Sequence, residues 1–131
     1  MGGFLAVIAT NYLPIHVCIS LVPQYSAHME IVPDEVRWKE YRDEITVWRY
    51  ISLADYFNST TKYYLFSGGV DFEKQHWSKF PSMPNIQNTV FKPWGHNVAQ
   101  KLKSKQLLYP VIKKCIAKQN VAHFLATELN C

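Results

Sequence analysis

The chain contains few of the residues that mark unusual classes of protein. Among its 131 residues there are five glycines, seven prolines and three cysteines, and no two cysteines form a CxxC pair. These small numbers exclude a collagen-like, low-complexity or disulfide-dense chain. An apolar fraction of 48% with a charged fraction of 18% is typical of a globular protein. At this length we expect one domain over residues 1–131 that buries a substantial core.

Charge is absent from the beginning of the chain and one-sided at its end. Residues 1–29 contain no Asp, Glu, Lys or Arg, and no arginine follows Arg49. Residues 1–73 carry nine acids against five bases, a net charge of −4, whereas residues 74–131 carry nine lysines against one acid, a net charge of +8. This asymmetry predicts one of two things: the two regions neutralise each other within the fold, or the basic region contacts an anionic partner.

The uncharged beginning of the chain favours a β-hairpin. Two apolar runs, 4–10 and 15–22, are separated by the turn-forming residues 11–14, and the second run alternates polar and apolar side chains as a half-buried strand does. Residues 4–22 also approach the length of a targeting or membrane-anchoring segment, but no positively charged region precedes them. The odd number of cysteines suits a reducing compartment. We therefore predict a cytoplasmic protein, with a secreted or membrane-anchored protein as the alternative.

The pattern of the whole chain predicts an α+β fold, in which a small, mainly antiparallel sheet is covered on one face by three or four helices. Runs rich in β-branched and aromatic residues predict strands over 4–10, 15–22, 45–53 and 60–66. Helix-start residues and helical periodicity predict helices over 33–44, 72–80, 96–108 and 110–129. Residues 45–53 also fit a helix that is apolar nearly all round, and residues 81–95 read as a loop.

The basic end of the chain combines lysines with aromatic residues. Lysines 101 and 105, and lysines 114 and 118, have the spacing that places two side chains on one helical face. Lysine charges suit phosphate backbones, and tryptophan offers a surface on which a base stacks. The predicted site for an anionic partner, which is nucleic acid or an acidic protein surface, comprises Lys101, Lys105, Lys113, Lys114, Lys118 and Trp94. The alternative is that these lysines form an ordinary solvated face and that the aromatic residues belong to the core.

A glycine-containing turn lies in the middle of the chain. Ser67-Gly68-Gly69-Val70-Asp71-Phe72 follows a predicted strand and precedes a predicted helix, and it resembles the SGGxDS loop of the PP-loop ATP pyrophosphatases. The resemblance implies a phosphate site formed by Ser67, Gly68, Gly69 and Asp71, because glycines let the backbone approach an anion. Phe72 stands where the family has serine, and the family loop usually opens its domain. A turn that uses its glycines for backbone geometry alone is the alternative.

No other motif indicates catalysis. The five histidines have neither HxH nor HxxxH spacing, so we expect no metal and no cofactor, and the catalytic residues stay unassigned. His76 with Glu73 reads as an ordinary surface pair. The prediction is therefore a non-enzymatic binding module for an anionic partner. The alternatives are a small nucleotide- or phosphate-binding enzyme at the glycine-containing turn and a secreted or membrane-anchored interaction domain.

Overall fold

Three strands and six helices form the fold in residues 1–129, which are the residues that the computed structural model describes. The strands are β1 (Val17–Leu21), β2 (Lys62–Gly68) and β3 (Ile86–Phe91). The helices are α1 (Gly2–Ala9), α2 (Lys39–Asp43), α3 (Lys74–Trp77), α4 (Val98–Ser104), α5 (Leu108–Ile116) and α6 (Val121–Glu128). A single 3₁₀ turn, Asp71–Glu73, leads directly into α3.

The sheet has the order β1-β2-β3 and both of its strand pairs are parallel. Val17 pairs with Lys62 at one end of the β1–β2 ladder, and Gly68 pairs with Phe91 at the end of the β2–β3 ladder. The prediction of an α+β fold is confirmed, but the predicted antiparallel sheet is wrong. Each strand reaches its neighbour through a long crossover rather than a tight hairpin, and such crossovers make a parallel pair.

Both faces of the sheet are buried, which differs from the predicted covering of one face. On one face Tyr64 and Phe66 pack in a core with residues of α4, α5 and α6. On the other face Tyr63 and Leu65 pack with α1 and with Leu53 from the first crossover. Parallel sheets are normally covered on both sides because their crossovers return over the faces.

The first predicted strand, 4–10, is wrong, because residues 4–9 belong to helix α1 and Thr10 caps its end. The hairpin predicted with 15–22 is therefore absent, whereas β1 confirms the centre of the second run. A short apolar run has no periodicity that separates a strand from a buried helix. The end of α1 is fixed by Thr10, whose hydroxyl donates to the carbonyl of Val7 and lies 2.7 Å from the Tyr63 hydroxyl.

The crossover between β1 and β2 also departs from prediction. Residues 45–53 form no strand, and their one β-type contact is an isolated bridge between Ser26 and Ser52. A predicted half-buried strand would place one row of its apolar side chains in a core. Val47 is 84% exposed, so its side chain gains nothing from such burial. The helix predicted over 33–44 is limited to α2.

The later part of the chain agrees better with prediction. Strand β2 and the short helical segment after it lie where they are expected, but β3 occupies part of the predicted loop 81–95. The helix predicted over 110–129 divides into α5 and α6 because Lys118 adopts a left-handed backbone conformation with φ 56°. The side chain of Asn120 then caps α6 by accepting from the amide of Ala122 at 2.9 Å. Across residues 1–129, no helix has both the length and the apolar character needed to cross a bilayer.

Candidate functional site

Charged and polar residues from loops and from the short helical segment after β2 meet beside the carboxyl ends of the three parallel strands. Gln24 follows β1, Glu73 and His76 follow β2, and His96 follows β3. The crossover between β1 and β2 contributes a glutamate and an arginine. Ligands of open parallel sheets bind outside the carboxyl ends of the strands, so this is the position where a site is expected. We call this group the edge cluster, and its members are Gln24, Glu35, Arg37, Glu73, His76 and His96.

The first half of the edge cluster is sealed from solvent. Glu35 and His76 are each 1% exposed, and His76 Nε2 lies 2.8 Å from Glu35 Oε2. The amide of Tyr25 donates to His76 Nδ1 at 3.1 Å, so the proton of a neutral ring is on Nε2 and is donated to the carboxylate. Gln24 Nε2 also donates to Glu35, at 3.2 Å. Both ring nitrogens of His76 are thereby engaged.

Protonation in the sealed half follows from burial and from these hydrogen bonds. Burial alone would raise the pKa of Glu35, but hydrogen bonds from Arg37 and His76 lower that pKa to about 2. Burial lowers the pKa of His76, and the neighbouring Glu35 only partly opposes it. Glu35 is therefore ionised and His76 neutral near pH 7.

The second half of the edge cluster opens to solvent. Glu73 has a side chain that is only 4% exposed, whereas the His96 side chain is 55% exposed. His96 Nδ1 lies 2.8 Å from Glu73 Oε1. Arg37 Nη1 donates to the same oxygen at 2.9 Å and also lies 2.7 Å from His96 Nδ1. Among residues 1–129, His96 Nε2 has no hydrogen-bond partner. This nitrogen is free to meet a ligand.

Arg37 joins the two halves. Its Nε and Nη2 donate to the two oxygens of Glu35 at 2.8 and 2.5 Å, and its Nη1 donates to Glu73. Burial lowers the pKa of Arg37, but the hydrogen bond to Glu35 and the charges of both carboxylates outweigh this and raise it. Two carboxylates and one guanidinium give the cluster a net charge of −1 when both imidazoles are neutral.

A cavity of about 340 Å³ lies against the open half, with Met1, Gln24, Arg37, Trp38 and His96 as its lining. Trp38 has φ 61°, a left-handed conformation that is strained for a bulky residue. Immediately after Trp38 the chain enters α2, so this backbone conformation sets where its ring stands at the cavity. In the described part of the chain, no three His, Cys, Asp or Glu side chains could together hold a metal ion.

A second cavity, of about 490 Å³, lies between β3, its following loop and α6. Two exposed lysines, Lys92 and Lys105, line it together with Trp94, and we call it the lysine groove. The Trp94 ring stacks on Phe91 at 4.5 Å between ring centroids and 14° between planes. Thr89 also lines the groove, and its hydroxyl oxygen is buried without a hydrogen-bond partner among the described residues.

The structure thus brings Trp94 and Lys105 of the predicted anion site to one groove. Lys101 on α4, Lys113 on α5 and Lys118 in the turn before α6 are exposed elsewhere. The ammonium of Lys114 lies 4.8 Å from the Phe124 ring centroid. Over residues 1–129 the one lysine in a salt bridge is Lys39, which pairs with Asp43. Among the side chains that the structure describes, which leave out that of Asp71, acids of the N-terminal region therefore do not pair with the C-terminal lysines.

The glycine-containing turn uses its glycines for close backbone packing. A Cβ on Gly68 would collide with the carbonyl of Gly95, and one on Gly69 would lie 2.5 Å from Lys92 Cα. The Gly69 amide donates to the carbonyls of Phe91 and Trp94 at 2.9 and 2.8 Å.

The hydroxyl of Ser67 in this turn is buried, and no described residue forms a hydrogen bond with it. The side chain of Asp71 lies outside what the structure describes. The phosphate site stays a prediction. The Gly69 amide, one of the backbone donors that such a site would use, is committed to carbonyls in this conformation.

Sequence reasoning missed the edge cluster because it paired residues that are close along the chain. His76 was expected beside Glu73, whereas the structure pairs His76 with Glu35 and Glu73 with His96. A prediction of a parallel sheet would have revealed the edge cluster, since such a sheet brings the residues that follow each strand to one edge. No protein-family profile, curated protein or solved structure matches this chain.

Proposed function

We propose that the chain is a binding module that takes single-stranded nucleic acid as its anionic partner, along the C-terminal helices and the lysine groove. The observation that carries the proposal is that Trp94 and Lys105, two residues predicted for this role, line one groove with Lys92. A flat apolar surface beside two ammonium groups matches a nucleotide, in which a base adjoins a phosphate.

The charge of the C-terminal helices supports this proposal. Exposed lysines that have no carboxylate partner can neutralise the phosphates of a nucleic acid, which releases the cations condensed on its backbone. The absence of arginine after Arg49 removes the side chain that most often reads guanine in duplex DNA. Binding should therefore depend on charge and stacking rather than on base sequence.

Fluorescence anisotropy with a labelled oligothymidylate at several salt concentrations tests the proposal. We expect the intact chain to bind at low salt and to lose affinity steeply as salt rises. Each lysine–phosphate contact removed should reduce the slope of log K against log[salt] by about 0.7. Lys105→Gln should show this reduction, and Trp94→Leu should weaken binding by about 1–3 kcal/mol.

Two matched variants control for nonspecific effects. Lys39→Gln changes an exposed helical lysine in the acidic region, and Trp38→Leu changes an exposed tryptophan outside the lysine groove. Both should leave the affinity and its salt slope unchanged. Absence of binding at low salt would refute the proposal. Equal displacement of the oligonucleotide by polyglutamate would show an acidic protein surface as the partner instead.

A further inference from the structure

The lysine groove has an apolar interior. One wall is formed by residues 89–91 at the end of β3. The opposite wall is formed by α6 and its C-cap, whose lining residues have the i, i+3, i+4, i+7 spacing of a single helical face: Ala122, Leu125, Ala126 and Leu129. Two of these four side chains are alanines, which are too short to fill the space between the helix and the strand. The groove therefore offers apolar surface to a ligand.

Strand β3 and helix α6 are tied together at one end of the groove. The Gln87 side chain of β3 lies beside the first turn of α6, within hydrogen-bond distance of the Val121 amide. Lys92 follows β3 directly, so its charge stands toward the opposite end from this contact. Lys105, the C-cap of α4, also lines the groove. The charges thus come from the segments that follow β3 and α4, whereas the apolar surface comes mainly from β3 and α6.

Charge in the groove has one sign. Its described lining includes Lys92 and Lys105 but no Asp or Glu, and neither lysine forms a salt bridge with a described residue. The groove therefore attracts an anion and repels a cation. Apart from the Trp94 indole, the one neutral polar side chain in the described lining is that of Thr89, whose hydroxyl is buried. The interior thus offers few hydrogen bonds to a polar ligand.

These features together describe a ligand with an apolar body and one anionic end. The groove encloses about 490 Å³, which is within the range of about 300–1,000 Å³ that is usual for small-molecule sites. We infer that the lysine groove binds a free single-chain anionic amphiphile of the fatty-acid class. The acyl chain lies between β3 and α6, and the carboxylate lies at Lys92 and Lys105. Each methylene group that becomes buried there raises the affinity by up to about fourfold.

Isothermal titration calorimetry with laurate, below the concentration at which it forms micelles, tests this inference on the intact chain. The expected result is saturable binding at one site. Decanoate and octanoate, which have shorter chains, should bind more weakly by up to about fourfold for each methylene group removed. Dodecyltrimethylammonium has the same chain length as laurate and a cationic head, and it should bind at least about tenfold more weakly because the lysines repel it. Absence of saturable laurate binding, or equal binding of the two head groups, would overturn the inference.

A pair of variants on α6 locates the site. Ala126→Glu should weaken laurate binding by at least about tenfold, because the new side chain fills part of the groove and its carboxylate repels the ligand. Thr127→Glu is the matched control, since Thr127 is an exposed residue of the same helix that does not line the groove. It should keep the wild-type affinity within about twofold. Circular dichroism checks that both variants fold, and equal losses of affinity in the two would contradict the placement of the acyl chain.

A second set of variants tests the position of the carboxylate. Lys92→Gln and Lys105→Gln should each weaken laurate binding by about two- to fivefold, the usual effect of an exposed ion pair. Lys103→Gln is the control, because Lys103 is an exposed lysine on α4 outside the groove. Wild-type affinity in both groove variants, or an equal loss in Lys103→Gln, would refute the assigned position of the head group. Binding to phosphatidylglycerol vesicles without binding of monomeric laurate would show a membrane surface as the partner and would overturn the inference.

Laurate binding is measured without an oligonucleotide, so the amphiphile site and the nucleic-acid site proposed above can fail separately. Laurate binding in a chain that binds no oligothymidylate would refute the nucleic-acid partner alone. Oligothymidylate binding in a chain that binds no laurate would overturn the amphiphile site alone. Where both ligands bind, laurate should displace the labelled oligothymidylate, because both contact Lys105 and the apolar surface beside it. Displacement should be lost in Ala126→Glu and kept in Thr127→Glu, and the opposite order would overturn the assignment of laurate to the groove.

Discussion

The edge cluster contains two glutamate–histidine pairs with the same hydrogen-bond distance and opposite exposure. Glu35 and His76 meet at 2.8 Å in the interior, and Glu73 and His96 meet at 2.8 Å with the imidazole in solvent. Arg37 donates to the glutamate of both pairs. The same two residue types thus take different roles. A histidine can bind a ligand only through a ring nitrogen that is not already hydrogen-bonded within the protein. The sealed pair should contribute to stability, and the open pair to function.

The largest expected effect comes from removing the carboxylate of the sealed pair. Glu35→Ala should lower the free energy of unfolding by about 3–5 kcal/mol, because Arg37, His76 and Gln24 lose their common buried acceptor. Urea denaturation of the wild-type protein and of Glu35→Ala measures this difference in the free energy of unfolding. Glu73→Ala is the counterpart, and its loss should be smaller because solvent can reach His96. A greater loss in Glu73→Ala than in Glu35→Ala would reverse the comparison.

The imidazole of the sealed pair comes next. His76→Leu should lower the free energy of unfolding by about 2–3 kcal/mol, since the Tyr25 amide and one Glu35 oxygen would be left buried without that partner. Chemical denaturation again measures the effect, with His96→Leu as the matched change in the open pair. Equal losses in the two variants would show that exposure does not separate the pairs.

The sealed pair should also give stability a two-step dependence on pH. His76 has a folded pKa below 6.5, so as the pH falls through about 6.5 the unfolded chain binds a proton first and stability decreases. Glu35 has a folded pKa of about 2 against 4.5 for the free group. Its contribution is complete above 4.5 and is lost as the pH falls toward 2.

Urea midpoints between about pH 8 and about pH 3 would reveal both steps. His76→Leu should lose most of the step near 6.5, and His96→Gln should retain it. If this step kept its full size in His76→Leu, a titrating group other than His76 would be responsible for it.

The smallest expected effect on stability belongs to His96. His96→Gln should change the free energy of unfolding by no more than about 0.5 kcal/mol, because the side chain is largely exposed. Its ring should nevertheless react with diethyl pyrocarbonate in the native chain, whereas the ring of His76 should react only after unfolding. Mass spectrometry of the modified peptides distinguishes the two histidines. Protection of His96 in the native chain would contradict its placement at an open cavity.

The strands that were predicted correctly are those whose local pattern and tertiary surroundings agree. Strand β2 is predicted because Tyr63 to Phe66 is a short apolar run between a polar turn and glycines. The structure buries the centre of this strand on both faces. The run at α1 is equally apolar, but it folds as a helix because the place available to it is on the face of the sheet. Strand β3 was missed because its asparagine and threonine residues are typical of a loop, and pairing with β2 overrides that preference.

The amino-acid sequence by itself determined the mixed α and β content, the turn that follows β2 and the uneven distribution of charge. These properties depend on composition and on short-range patterns. Only the tertiary structure decided that the sheet is parallel and that Glu35 and Glu73 each take a histidine distant in sequence. It also decided that, among the described side chains, the C-terminal lysines pair with no carboxylate. The physical reason is that partners in a parallel sheet are chosen by crossover and packing, which bring together residues that no local spacing connects.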